Sequence, residues 1–188
     1  ENPRATLNHS QPKKDSGSVV ACHYATREWI AVSWRSGVIY KIESAARPAE
    51  NSSWIAPGIV DLQINGYAGV DFQHDGLSEA EFLKACRGLR RAGCARFLLT
   101  LITDHWERLL ARLSYLREVR ARSAELSSAI AGWHIEGPFL SPEVGFKGAH
   151  NAAVMRDATE ADLRELRAVT GRDVEPRDRR ARRRSAGP

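Results

Sequence analysis

Covalent cross-links, membrane spans and nucleotide signatures are all scarce in this sequence. Only three cysteines occur in 188 residues, Cys22, Cys86 and Cys94. An odd number with no CxxC pair excludes a disulfide framework and offers no zinc-finger spacing, so a reducing cytoplasm is the expected setting. No apolar run approaches the roughly 18 residues a membrane helix needs. Residues 1–10 are polar and lack the apolar core of a signal peptide. No GxGxxG follows the first strong strand segment, which argues against a dinucleotide cofactor. No internal repeat occurs beyond a rhythm of alternating elements. The chain opens on Glu1 rather than Met, so a fragment of a longer polypeptide is expected.

What is present is ordinary for a globular protein: 43% hydrophobic and 27% charged residues, values that exclude a disordered or fibrous chain. The formal net charge is +5, and residues 172–188 hold seven Arg against three acidic residues. The rest of the chain is therefore close to neutral. An Arg run without interleaved aromatics or a nucleic-acid-binding motif reads as a solvated end. Neither nucleic acid nor a membrane is an expected partner.

Residues 1–18 read as a disordered lead and residues 19–55 as a small β segment. Within it, Trp29–Trp34 and Val38–Ile42 flank the turn Arg35-Ser36-Gly37, a hairpin pattern. Residues 44–53 form a connector. From 56 to 171 strands alternate with helices. Ile59–Ile64 is a short apolar run between Pro57-Gly58 and Asn65-Gly66. Ser78 with Glu81 makes a capping box ahead of a helix carrying Phe82, Leu83, Cys86 and Leu89, which Gly93 closes. Phe97–Ile102 reads as a buried strand. Asp104 is the expected cap of a helix striped with Leu109, Leu113, Leu116 and Val119. Ile130–Ile135 is a third strand, residues 136–150 a loop, and Asp157 or Thr159 caps a helix bearing Leu163 and Leu166. The pattern predicts an α/β fold with three to four βα units, either an open doubly wound sheet or part of a (β/α)8 barrel, a fold that takes about 250 residues when complete.

In such folds chemistry sits at the carboxyl ends of parallel strands. Asp61, Gln63 and Asn65, spaced by two, share one strand face. They form either a hydrogen-bonded brace or the polar floor of an active site. His134 and Glu136 repeat the spacing, with Trp133 and Ile135 turned to the helix side, before Gly137-Pro138 leads the chain out of the sheet. A carboxylate beside an imidazole suits a divalent cation, or else forms a structural pair. Cys86 and Cys94 read as core residues, His105 as a solvated residue at a helix start, and His74 receives no role.

Pro57-Gly58-Ile59-Val60-Asp61-Leu62-Gln63-Ile64-Asn65-Gly66 with Gly69-Val70-Asp71-Phe72, then Leu99-Thr100-Leu101-Ile102-Thr103, then Gly132-Trp133-His134-Ile135-Glu136-Gly137-Pro138-Phe139-Leu140 with Lys147-Gly148-Ala149-His150-Asn151, resemble in order the motifs of the N-acetylglucosamine-6-phosphate deacetylase family, within the amidohydrolase superfamily. The resemblance covers about residues 19–171. It implies the N-terminal part of a metal-dependent (β/α)8 barrel beside a small β domain. It also implies that Glu136 is a metal ligand and that Ala149 and His150 lie against the sugar phosphate. Gln63 and Asn65 stand where many superfamily members carry a His-x-His pair, which favours one divalent ion of the Zn2+ kind over two. The implied reaction is hydrolysis of N-acetyl-D-glucosamine 6-phosphate to glucosamine 6-phosphate and acetate, by a homodimeric enzyme of amino-sugar catabolism.

The family's other ligand histidines and its general-base aspartate have no counterpart here, because the resemblance stops at Gly171. No catalytic residue is therefore assigned, and Gln63, Asn65 and His134 are candidates for the active-site floor. The expectation is a truncated, inactive fragment that aggregates or stays partly unfolded. Two other readings are a dihydroorotase or adenine deaminase relative, which Gln63-Ile64-Asn65 contradicts, and a non-catalytic half-barrel with a basic tail.

Overall fold

The computed structural model describes residues 16–49 and 53–171. The expectations for residues 1–15 and for the Arg-rich tail, 172–188, lie outside the described residues. The chain divides into two units between Pro57 and Gly58.

The first unit is a β sheet of four strands, β1 (Ser16–His23), β2 (Trp29–Arg35), β3 (Val38–Ser44) and β4 (Trp54–Ile55), in the order β3-β2-β1-β4. β1 and β3 run antiparallel to β2, and β4 runs parallel to β1. The expected hairpin is β2–β3. Its turn places Ser36 and Gly37 at φ of 49° and 74°, the pair of positive values whose twist suits a tight hairpin. β1 begins at Ser16, opposite Arg35, so residues 16–18 belong to the sheet and not to a lead. Backbone pairing holds this polar end, and the Ser33 hydroxyl donates to that of Ser18 at 3.2 Å. Ala21, Cys22 and Val32 are buried, whereas Val38, Ile39, Tyr40 and Ile42 of β3 are exposed.

The second unit runs β5 (Ile59–Ile64), a small hairpin of β6 (Gly66–Tyr67) and β7 (Val70–Asp71), α1 (Glu79–Arg91), β8 (Cys94–Ile102), α2 (Trp106–Arg122), α3 (Ala124–Ala129), β9 (Ile130–Glu136) and α4 (Glu160–Thr170). β5, β8 and β9 form one parallel sheet in that order. The fold is mixed α/β, with helical crossovers joining parallel strands as the strand–helix rhythm predicts. One sheet face buries Phe97, Leu99 and Leu101 against Phe82, Ala85, Cys86 and Leu89 of α1 and Leu113, Leu116 and Val119 of α2. Trp133 and Ile135 pack on the same core, so alternation turns His134 and Glu136 to the opposite face. Phe72, completely buried, stacks between Phe82 and Phe97 with ring centroids 5.3 and 6.0 Å away.

Local signals set most helix ends. Ser78 Oγ accepts from the Glu81 amide at 3.3 Å, and Glu81 Oε2 accepts from the Ser78 amide at 2.8 Å. The Ser78 amide, then its hydroxyl, hold the Glu81 carboxyl below the usual carboxylate range. Thr159, rather than Asp157, caps α4 through the same device with Asp162. Leu166 reaches the core, while Leu163 is 46% exposed. Asp104 is not the cap of α2. That place falls to His105, which is exposed and makes no side-chain cap bond. Asp104 instead accepts from Arg112 at 3.0 Å, and Asp75 accepts from the same guanidinium at 2.7 Å. Arg112 is only 5% exposed, and a buried cation left without carboxylates costs more than an uncapped helix end. These contacts, Arg112 first and Arg108 second, keep the Asp75 carboxyl below its usual range. The short helix α3, capped by Ser123, carries no signal noted in the sequence.

Candidate functional site

The carboxyl ends of β5, β8 and β9 meet around an open cleft of about 400 Å³, lined by Gln63, Asn65, Ile102, Thr103, Glu136, Ala149, His150 and Asn151. Each strand delivers its residues for a simple reason. β5 stops at Ile64, so Asn65 sits at the mouth. β8 runs through Ile102 and hands Thr103 to the loop, and β9 ends on Glu136 itself. The chain then leaves the sheet through Gly137-Pro138 and returns with Ala149, His150 and Asn151.

Glu136 is the hub. Its Oε2 accepts from Asn65 Nδ2 at 3.4 Å, and its Oε1 lies 3.5 Å from His150 Nε2. The other ring nitrogen of His150, Nδ1, is 2.8 Å from Thr103 Oγ1. Thr103 is buried, whereas the Glu136 and His150 side chains are 27% and 17% exposed. The imidazole is thus held between Thr103 at one nitrogen and the Glu136 carboxylate near the other. Gly137 makes this possible. Its φ is +151°, and a Cβ there would stand 2.0 Å from Thr103 Oγ1, so a side chain would break the Thr103–His150 contact.

Of the residues singled out in the sequence, Gln63, Asn65, Glu136, Ala149 and His150 come together here. His134 does not line the cleft. Its Nδ1 is 2.9 Å from the Leu62 carbonyl oxygen, an attachment that turns its ring toward β5 backbone rather than the mouth. Asp61 also stays out, accepting from the Gln63 amide at 3.0 Å. Ile102, Thr103 and Asn151 line the cleft without having been singled out in the sequence, and Gln73 is a further contributor. Thr103 stood within a quoted motif without a role. Gln73 was unmarked, yet it donates to the Thr100 carbonyl at 2.9 Å and accepts from the Ile102 amide at 3.0 Å, satisfying the backbone of β8 near its end. Cys86 and Cys94 are buried core thiols, as expected, and burial pushes the Cys86 thiol up to about 11.

The donor set does not fit a complete metal site. Glu136 offers one carboxylate and His150 one imidazole, against the three protein ligands usual for catalytic zinc. No group of three His, Cys, Asp or Glu able to hold a metal ion occurs among the described residues. The arrangement supplies neutral hydrogen-bond donors and acceptors and one carboxylate around the opening. Among the described residues no helix is long and apolar enough to cross a membrane.

No family model matches the chain. N-acetylglucosamine-6-phosphate deacetylase of Bos taurus is 37% identical over 120 residues, 62% of this chain and 28% of that protein. N-acetylgalactosamine-6-phosphate deacetylase of Escherichia coli O157:H7 is 27% identical over 136 residues, 71% of this chain and 35% of that protein. The crystal structure of N-acetylglucosamine-6-phosphate deacetylase from Pasteurella multocida superposes with a TM-score of 0.65 at 25% identity, covering 82% of this chain and 42% of that one. The chain spans between about a quarter and a third of the length of the curated relatives it matches. In sequence and in fold, therefore, the chain matches N-acetylglucosamine-6-phosphate deacetylases over part of their length.

Proposed function

We propose that this chain carries one portion of the sugar-phosphate site of a deacetylase that hydrolyses the acetamide of N-acetylglucosamine 6-phosphate, within a partial (β/α)8 barrel. One observation carries the reading. Three motifs that are far apart in sequence converge on one cleft at the strand ends, through Asn65 of the first, Thr103 of the second, and Glu136 and His150 of the third. Ligands of α/β folds bind at that end.

In this reading Asn65 and Gln63 exchange hydrogen bonds with hydroxyl or amide groups of the substrate. His150, fixed by Thr103, directs Nε2 at an anionic or hydroxyl oxygen, and Ala149 leaves room for it. Glu136 supplies one carboxylate toward a divalent ion of the zinc kind, whose ligand set the described residues do not complete. No bond-breaking step is assigned to this chain, because its residues do not complete that site. Cytoplasmic residence, supported by the three unpaired cysteines, and a homodimeric complete enzyme extend the same reading.

The test is a titration of the 15N-labelled chain with N-acetylglucosamine 6-phosphate, alongside N-acetylgalactosamine 6-phosphate. Saturable shifts of the Ala149, His150 and Asn151 amides, weakened by His150→Ala, are the expected result. Shifts scattered over the surface, or none at these amides with either sugar, would overturn the proposal.

A further inference from the structure

We propose that Arg156 is a positioning residue that clamps the loop delivering Ala149, His150 and Asn151 to the cleft. The inference rests on the sugar-phosphate reading above and extends it to a side chain outside the cleft. The loop leaves at Pro138 and returns at Arg156, where the Arg156 amide donates to the Pro138 carbonyl at 3.2 Å. The guanidinium then closes the junction from above. Its carbon lies 4.8 Å from the ring centre of Trp106 and 6.0 Å from that of Phe139. Those two rings pack on each other at 5.4 Å, so the cation covers an aromatic pair made of the first residue of α2 and a residue of the outgoing limb of the loop.

Two further contacts anchor the clamp. Arg156 pairs with Asp162 in the first turn of α4. Trp106 Nε1 donates to Glu165 Oε2 at 2.6 Å, tying α2 to the same helix. Trp106 is 9% exposed and Asp162 4%, so both anchors are fixed. Between the clamped ends the loop bears exposed apolar side chains, Val144 at 92% and Phe146 at 75%. These residues do not hold it down. The closed base at residues 138 and 156 and the Thr103–His150 contact therefore determine where His150 points. A flat guanidinium fits this junction in a way an ammonium cannot, because it stacks on rings and pairs with a carboxylate at once.

Backbone hydrogen exchange of the full chain tests the clamp. In Arg156→Met the amides of residues 147–151 should exchange at least about tenfold faster, while those of α1 and β8 keep their protection. Arg156→Lys, which keeps the charge but cannot stack as a plane, should restore less than half of the lost protection. Unchanged exchange at 147–151, or a uniform rise over the whole second unit, would overturn the proposal, the latter marking a purely global role. In parallel, Arg156→Met should weaken the N-acetylglucosamine 6-phosphate response by about tenfold, near 1.4 kcal/mol. A wild-type chain that ignores the sugar phosphate would sink the functional reading alone, since the exchange result still decides the clamp.

Discussion

At the scale of single residues, Gly137 shows how one missing side chain organises a site. With φ at +151° and Thr103 Oγ1 where a Cβ would be, Gly137→Ala should destabilise the chain by more than about 1 kcal/mol and free the His150 ring. Thermal unfolding and the His150 ring nitrogen shifts would report both, and a variant with unchanged ring shifts would contradict the argument. Cys86 gives a pH prediction. Burial raises its thiol from 9.0 to about 11, so the folded chain keeps a proton that the unfolded chain releases near 9. Its contribution is whole below pH 9 and drains away between pH 9 and 11, by up to about 1.4 kcal/mol per pH unit. Cys86→Ala should flatten that part of the stability profile, and an identical slope would refute the assignment. The core role of Cys86 was legible from its place in the helical stripe. The role of Thr103 was not, because a threonine within a motif is silent until the histidine that meets it 47 residues later is seen beside it.

Among the elements, α1 is the best-forecast part of the fold, whereas for α4 the sequence left Asp157 and Thr159 as alternatives and the structure takes Thr159. Their caps are set by residues three apart, and the reciprocal bonds of Ser78 with Glu81 and of Thr159 with Asp162 appear in full. Ser78→Ala should cost about 1 kcal/mol, read as a lowered midpoint in urea with an unchanged slope. A neutral substitution would mean that packing alone holds that helix end. The start of α2 went differently, since Asp104 is drawn to the buried Arg112 instead of to the helix amides. Only the tertiary burial of that guanidinium decides the competition. β1 likewise reaches further toward the N-terminus than its polar residues suggest, because its register against β2 extends to Ser16.

For the molecule as a whole, the sheet order β5-β8-β9 leaves β5 and β9 as edges among the described residues. Ile59, Val60 and Leu62 on β5 are 60%, 53% and 65% exposed, and open apolar edges promote association. The 188-residue chain should therefore associate with rising concentration, and Leu62→Lys should lower the associated fraction in sedimentation. A wild-type chain that stays monomeric, or a variant with the same distribution, would count against this. With a single carboxylate and a single imidazole at the cleft, the chain should neither bind Zn2+ tightly nor release acetate from N-acetylglucosamine 6-phosphate. Measurable turnover by the purified chain would show that the site holds ligands beyond those described.

The sequence alone determined the strand–helix alternation, the Ser78–Glu81 capping box, the hairpin turn and most of the helical stripes, because each depends on residues a few positions apart and on side-chain periodicity. It also marked Gln63, Asn65, Glu136, Ala149 and His150 as candidates through their motifs. Only the tertiary structure decided which polar residues meet. Asn65 and Glu136 are 71 positions apart, and His134, two residues from Glu136, is diverted to a backbone carbonyl. Such outcomes depend on which strands are neighbours and on what each buried polar group needs for a partner, and neither is encoded in local spacing.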